Sequence, residues 1–285
     1  MRIFTFTADK SFEGKKASAL LEYHGCSAEI IKRLKRDGLL INGSFAPTVR
    51  SLKENDEVKI IFPDEKPSAE PTLVDNVKII YSDEDIAVID KPPFLPVHQS
   101  IGHYTDTLAN YFAFCFPHCA FRAVTRLDKN TSGLCVAALN KLSAAIMCRS
   151  RPQKLYYAAV EGKTDAEGTV DAPIMREAES IMKRIVSTEG QRAVTHYKTV
   201  RSFDGGSLLK ISLETGRTHQ IRVHMAHIGH PLFGDELYGG GCERINRQAL
   251  HCGYIKLIHP ITGEEMEFLS DIPEDIEKAV NSNLP

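Results

Sequence analysis

The residues with the clearest capacity for chemistry lie in the run Thr125-Arg126-Leu127-Asp128-Lys129-Asn130-Thr131-Ser132-Gly133-Leu134. It is a polar loop between two apolar segments. Arg126 and Lys129 flank a single carboxylate, Asp128, and neighbouring cations favour its charged form. An ionised, oriented carboxylate is competent as a nucleophile or as a base. On its own the run also reads as an ordinary turn around a structural Asp.

Two further motifs lie downstream. In Lys154-Leu155-Tyr156-Tyr157-Ala158-Ala159-Val160 a strand would send Tyr156 and Tyr157 to opposite faces, leaving one for the core and one for a cleft. The third is Leu213-Glu214-Thr215-Gly216-Arg217-Thr218-His219-Gln220-Ile221-Arg222-Val223-His224, continuing through His227, His230, Gly234-Asp235 and Tyr238-Gly239. Here a strand ends and polar residues gather at the start of a helix, where anions are favoured. The histidines do not follow His-Glu-x-x-His, and no suitable carboxylate lies among them. Cys115, His118 and Cys119 are too few for a zinc site, so no metal is expected. No phosphate-cradling glycine loop occurs, and none of the motifs calls for a cofactor.

The elements that must position these residues are readable from periodicity. Residues 2–7 alternate as a strand. Residues 15–24 and 28–37 read as two helices, with Gly25 after the first, Ser27 capping the second and Gly38 stopping it. Leu39-Leu40-Ile41 runs into the hairpin signal Asn42-Gly43, and residues 57–62 form another strand. Residues 63–71 hold three prolines and mark a linker, giving domains at 1–62 and 74–285 joined by 63–73. In the second domain strands are expected at 77–81, 86–90, 134–139, 154–160, 195–200 and 208–214. Helices are expected at 106–115, 140–149 and 220–228. Short turns between many strands predict an α+β fold with a mixed, mostly antiparallel sheet.

The second helix carries Lys32, Arg33, Lys35 and Arg36, with Ile30, Ile31 and Leu34 on the core side. Lys32 and Arg36 stack like charges at i,i+4, so either a solvated basic face or an anionic ligand accounts for them.

Taken together, these motifs resemble two families. Residues 13–62, with the basic helix followed by Gly-Leu-Leu-Ile-Asn-Gly, look like the small RNA-binding domain named from ribosomal small-subunit protein S-four. Residues 74–270 resemble the RluA-type pseudouridine synthases, through the long third motif, Arg-Leu-Asp-x-x-Thr-Ser-Gly-Leu, and Lys91-Pro92-Pro93-Phe94-Leu95-Pro96. Three positions depart from that pattern: Asp90 replaces an Asn, Phe94 a Gly, and Thr125 a His. The last bears on the packing of the Asp128 loop. The resemblance implies that Asp128 is the nucleophile or base acting at the ribose. It also implies that Tyr156 lies against the uracil ring with proton transfer open to its hydroxyl, and that Arg222 pairs with Asp128. Arg126 would fill the gap left by the flipped base, and the cations of the second helix would grip RNA phosphates. The substrate implied is large-subunit ribosomal RNA, with transfer RNA the alternative. The remaining rivals are a non-catalytic RNA-binding protein and a nucleoside hydrolase that would release free uracil.

Bulk properties agree with such a protein. The 285 residues are 42% apolar and 25% charged, with a net charge of −2. That sum hides a split: residues 1–66 and 67–262 each carry +2, and residues 263–285 carry −6. The acidic surplus is therefore confined to the tail, and a basic groove elsewhere is compatible with it. No run approaches the ~18 consecutive apolar residues of a membrane span, and the first residues lack the apolar core of a signal peptide. The seven irregularly spaced cysteines read as reduced thiols. These features point to a cytoplasmic protein with no membrane association and no evident obligate protein partner.

Overall fold

The computed structural model describes residues 1–37, 39–178 and 182–281, with backbone alone for Arg36 and Asp37. Gly38, expected to stop the second helix, lies outside the described residues.

The chain starts with β1 (Arg2–Thr7), α1 (Ala17–Tyr23), α2 (Ala28–Asp37), β2 (Leu39–Ile41), β3 (Ser44–Ala46) and β4 (Glu57–Phe62). The strands form an antiparallel sheet in the order β1-β4-β2-β3. Asn42 and Gly43 both have positive φ (52° and 79°), which is what a tight two-residue hairpin turn demands. Ser27 Oγ accepts the Ile30 N–H at 3.3 Å, capping α2. Ile30, Ile31 and Leu34 of α2 join Leu20, Leu21, Val58 and Ile60 in a separate small core.

Residues 63–73 contain no helix or strand, yet they are anchored to residues further along the chain. Glu65 pairs with Arg122 and with Lys141, and the Thr72 N–H donates to the Asn110 carbonyl.

The larger part comprises β5 (Lys78–Ser82), β6 (Ile86–Lys91), α3 (Leu108–Cys115), β7 (Arg122–Ala123), β8 (Ser132–Ala138), α4 (Lys141–Ser150), β9 (Gln153–Glu161), β10 (Glu167–Asp171), β11 (Ile174–Arg176), β12 (Arg184–Val186), β13 (Val194–Phe203), β14 (Gly206–Leu213), α5 (Gln220–His227), β15 (Leu250–Ile258), β16 (Glu265–Leu269) and α6 (Glu274–Asn281). Its main sheet runs β10-β13-β14-β9-β15-β8-β6-β5, with β16 on β15 and β7 on β8; β11 and β12 form a separate hairpin. Within the main sheet β15 and β8 pair in parallel, and the other pairs are antiparallel. The fold is therefore α+β with a mixed, mostly antiparallel sheet, as the turn lengths predict. α3 starts at Leu108, two residues later than its periodicity suggests, because Thr107 and Asn110 form a capping box.

The two parts meet at α4 and at Asp85. Leu142, Ala145 and Ile146 of α4 pack into the small core. The buried Asp85 carboxylate accepts from Arg2 at 2.8 Å and from Asn140, the N-cap of α4, at 2.8 Å.

The β7–β8 loop is fixed through its main chain. The Thr131 N–H donates to the Asp128 carbonyl at 3.1 Å. Lys91, fully buried at the end of β6, donates through Nζ to the carbonyls of Lys129 (3.1 Å), Pro92 (2.8 Å) and Leu95 (2.9 Å). Arg247, 1% exposed, donates to the Asn130 carbonyl at 3.2 Å and forms a two-pronged pair with Asp275 of α6. Three successive carbonyls, 128 to 130, are thus each held by a donor. Thr125 holds the loop's start, since its Oγ1 accepts the Val136 N–H at 2.9 Å. Gly133 comes next at φ 109°, where a Cβ would stand 2.3 Å from the Cys252 carbonyl oxygen of β15. Only glycine allows β8 and β15 to approach this closely.

Two consequences are measurable. Gly133→Ala combines a disallowed φ with a main-chain clash and should cost about 3 kcal/mol or more in denaturant unfolding. Gly263→Ala, at φ 75° in open space, should cost only about 1 kcal/mol; equal losses would show that the β8–β15 approach is not the constraint. Burial pushes the Lys91 ammonium down to about 8. The unfolded chain then binds more protons than the native one from about pH 8 up to the ordinary lysine value of 10.5. Across that window the native protein should gain stability relative to Lys91→Met, and parallel stability–pH curves would contradict this.

Candidate active site

A cleft of about 590 Å³ opens beside the β7–β8 loop, and Arg126, Asp128, Tyr156, His219 and Arg222 are among the residues that line it. Three separate stretches of sequence supply these side chains: the β7–β8 loop, β9, and the β14–α5 junction.

Asp128 is partly exposed, and its Oδ2 accepts from Arg222 Nη1 at 3.2 Å. Arg222 stands in the first turn of α5 and is 7% exposed. Its other two nitrogens each donate to Asp235, with Nε to Oδ2 at 2.6 Å and Nη2 to Oδ1 at 2.7 Å. Asp235 is 2% exposed. This forked pair fixes the plane of the guanidinium, so the remaining nitrogen, Nη1, meets Asp128 in a set direction. The Tyr238 ring packs under the guanidinium, 5.0 Å from its carbon. Burial works against the Arg222 charge, but the hydrogen bonds and charges of Asp235 and Asp128 outweigh it and raise its pKa above the ordinary value.

Of the two adjacent tyrosines, β9 turns Tyr156 into the cleft. The ring is 5% exposed, with Lys154 Nζ 5.6 Å from its centroid. Burial, reinforced by Cys252, Cys135 and Asp128, pushes the phenol well above its usual value. At neutral pH Tyr156 is therefore an uncharged aromatic platform with an un-ionised hydroxyl. Tyr157 points to the opposite face and packs over Gly253.

His219, the N-cap of α5, has its Nε2 3.7 Å from Asp128 Oδ2. Arg126 is exposed at the rim. Lys129 meets the His103 ring at 3.0 Å. Two other histidines of the third motif have hydrogen-bond partners in the protein. His224 bonds Thr195 at 2.9 Å and the Ala172 carbonyl at 2.8 Å, and His230 bonds the Glu161 carbonyl at 2.8 Å. All seven cysteines are free thiols.

The structure thus brings Asp128, Tyr156, Arg222 and Arg126 together. Lys32, Arg33 and Lys35 belong to α2 in the small unit and do not line the cleft; the Arg36 side chain lies outside the described residues. Sequence reasoning gave no role to Asp235, His219, Tyr238, Lys91 or Arg247. Asp235 and Tyr238 fall within the third motif, so their proximity was available as a signal. Arg247 sits in no motif, and only the fold carries it to the loop.

No helix among the described residues is long and apolar enough to cross a membrane. The model for RNA pseudouridylate synthases matches residues 85–227. The Bacillus subtilis protein YjbO, named as an RNA pseudouridine synthase, is 40% identical over 271 residues, which is 90% of this chain and 95% of the relative. Ribosomal large subunit pseudouridine synthase D of Pseudomonas aeruginosa is 42% identical over 222 residues, 70% of this chain and 69% of that protein. The structure of human RNA pseudouridylate synthase domain containing 1 matches with a TM-score of 0.58 at 28% identity, covering 71% of this chain and 86% of that one. The chain belongs to the RNA pseudouridylate synthase family and is an isomerase acting on RNA.

Proposed function

We propose that this pseudouridine synthase modifies large-subunit ribosomal RNA in the cytoplasm, with Asp128 as its nucleophile or base. The observation that carries the chemical part is the meeting of Asp128 with Arg222, whose Nε and Nη2 are committed to the buried Asp235. The names of relatives such as the Pseudomonas aeruginosa enzyme support the substrate class.

Isomerisation breaks the N-glycosidic bond, turns the base and rejoins it through a ring carbon. A stacked uridine offers none of these atoms, so the nucleotide leaves its helix to enter the cleft, and Arg126 at the rim takes up the vacated space. Asp128 acts at or near the anomeric carbon as a carboxylate whose charge Arg222 balances. The Tyr156 ring keeps the detached uracil in place while it turns, as stacking platforms do for single-stranded bases. Its un-ionised hydroxyl is available to move a proton. The reaction is redox-neutral and loses no group, so these side chains suffice without a cofactor.

The small unit formed by residues 1–62 serves as an S-four-like RNA-binding domain in this reading. Its α2 buries Ile30, Ile31 and Leu34 and leaves Lys32 and Lys35 exposed. With Arg33 and Arg36 they would contact phosphates, which position the substrate without reading its sequence.

In a strain lacking this chain, returning the wild type should restore pseudouridine in large-subunit ribosomal RNA, and Asp128→Asn should not, although it still binds RNA. Modification by Asp128→Asn would remove the residue from its role, and restoration only in transfer RNA would remove the substrate. Lys32→Ala combined with Lys35→Ala should weaken RNA binding and lower the slope of log Kd against log salt by about one to two, with kcat kept. An unchanged slope would take α2 out of the RNA interface.

A further inference from the structure

His219 joins β14 to α5 with φ 57° and ψ 18°. An L residue enters that left-handed region at a cost, and it persists where the surroundings hold it there. Here the ring is held at Nδ1, and its Nε2 faces Asp128. Nδ1 lies 2.9 Å from the Tyr238 hydroxyl, and that hydroxyl accepts the main-chain N–H of Arg184, in β12, at 3.0 Å. The hydroxyl oxygen keeps a second lone pair, so the tautomer is set at the other nitrogen: Nε2 faces the Asp128 carboxylate, which favours a proton there and leaves Nδ1 to accept from the Tyr238 hydroxyl. A neutral imidazole then carries its own proton on Nε2, the nitrogen 3.7 Å from Asp128 Oδ2. Burial lowers the His219 pKa, with Arg222 and Arg184 acting the same way and Asp128 and Asp235 opposing them. The ring is therefore neutral near pH 7 and presents an N–H, not a second full charge, to the carboxylate.

We propose that His219 is a positioning residue for Asp128: its Nε2–H closes on Oδ2 when RNA fills the cleft, in the tautomer whose Nδ1 accepts from the Tyr238 hydroxyl. The distance of 3.7 Å exceeds a hydrogen bond, and catalytic contacts commonly tighten only once substrate is bound. Arg222 and His219 converge on the same oxygen. Oδ1 has no hydrogen bond to protein among the described residues, which leaves it available to the ribose in this reading. Tyr238 touches both partners, its hydroxyl on His219 and its ring under Arg222.

This role for His219 rests on Asp128 doing the chemistry, so Asp128→Asn is measured beside it in the full chain, by single-turnover modification of an RNA substrate and by RNA affinity. His219→Asn suits the left-handed backbone but is too short to reach Asp128. It should slow turnover by about tenfold to a hundredfold with RNA affinity unchanged. His219→Gln, which keeps an N–H at about the right reach, should recover most of that loss. Tyr238→Phe keeps the ring under Arg222 and removes the hydroxyl; it should slow turnover, and adding it to His219→Asn should cost nothing more. Wild-type turnover in His219→Asn, lost affinity in place of lost rate, or multiplicative effects of the two changes would each overturn the proposal. If His219→Asn melts below the assay temperature, Tyr238→Phe alone decides, and a wild-type rate refutes it. An active Asp128→Asn would instead sink the reading beneath.

Discussion

The site depends on how one guanidinium is divided. Arg222 has a buried carboxylate, Asp235, on one side and a solvent-facing one, Asp128, on the other. The buried partner does no chemistry in our reading. Its part is to neutralise and orient Arg222, so that a cation taken almost wholly out of water remains ionised and aimed. Removing one member of such a pair leaves an uncompensated charge, typically at about 3–5 kcal/mol. The arrangement therefore couples the stability of the α5 region to the electrostatics of the cleft.

The same logic recurs beneath the loop. Lys91 and Arg247 are buried cations that spend donors on main-chain carbonyls. A carbonyl turned into the protein needs a partner, and these two side chains reach where no strand can. The loop can thus be irregular enough to present Asp128 and still be rigid. Preorganisation of this kind is what positions a nucleophile without reorganisation during the reaction.

How far the sequence revealed this depends on the range of each interaction. Asp128, Tyr156 and Arg222 sit in contiguous motifs, and the hairpin at Asn42-Gly43, the cap at Ser27 and the strands of β9 and β14 are local effects of residue type. β15 was not legible. Residues Leu250 to Gly253 are buried without alternation, because the strand lies between β8 and β9, and such a strand has no period-two signal. The braces were hidden for a related reason: Lys91 reaches Lys129 and Arg247 reaches Asn130 only after the sheet has formed. Phe94 illustrates an intermediate case. The missing glycine was visible in the sequence, but not that Phe94 itself takes φ 63°, the conformation glycine would supply.

Arg247 also connects the loop to the far end of the chain. Its guanidinium joins the Asn130 carbonyl to Asp275 of α6, a helix from the acidic segment that composition alone marks as a mere counterweight of charge. In mechanical terms α6 is a buttress. Whatever loosens it, whether proteolysis near Pro273 or an anionic neighbour competing with Asp275, would be felt one side chain later at the turn that carries Asp128. A stretch of sequence with no chemistry of its own thereby bears on the geometry of the loop that presents Asp128.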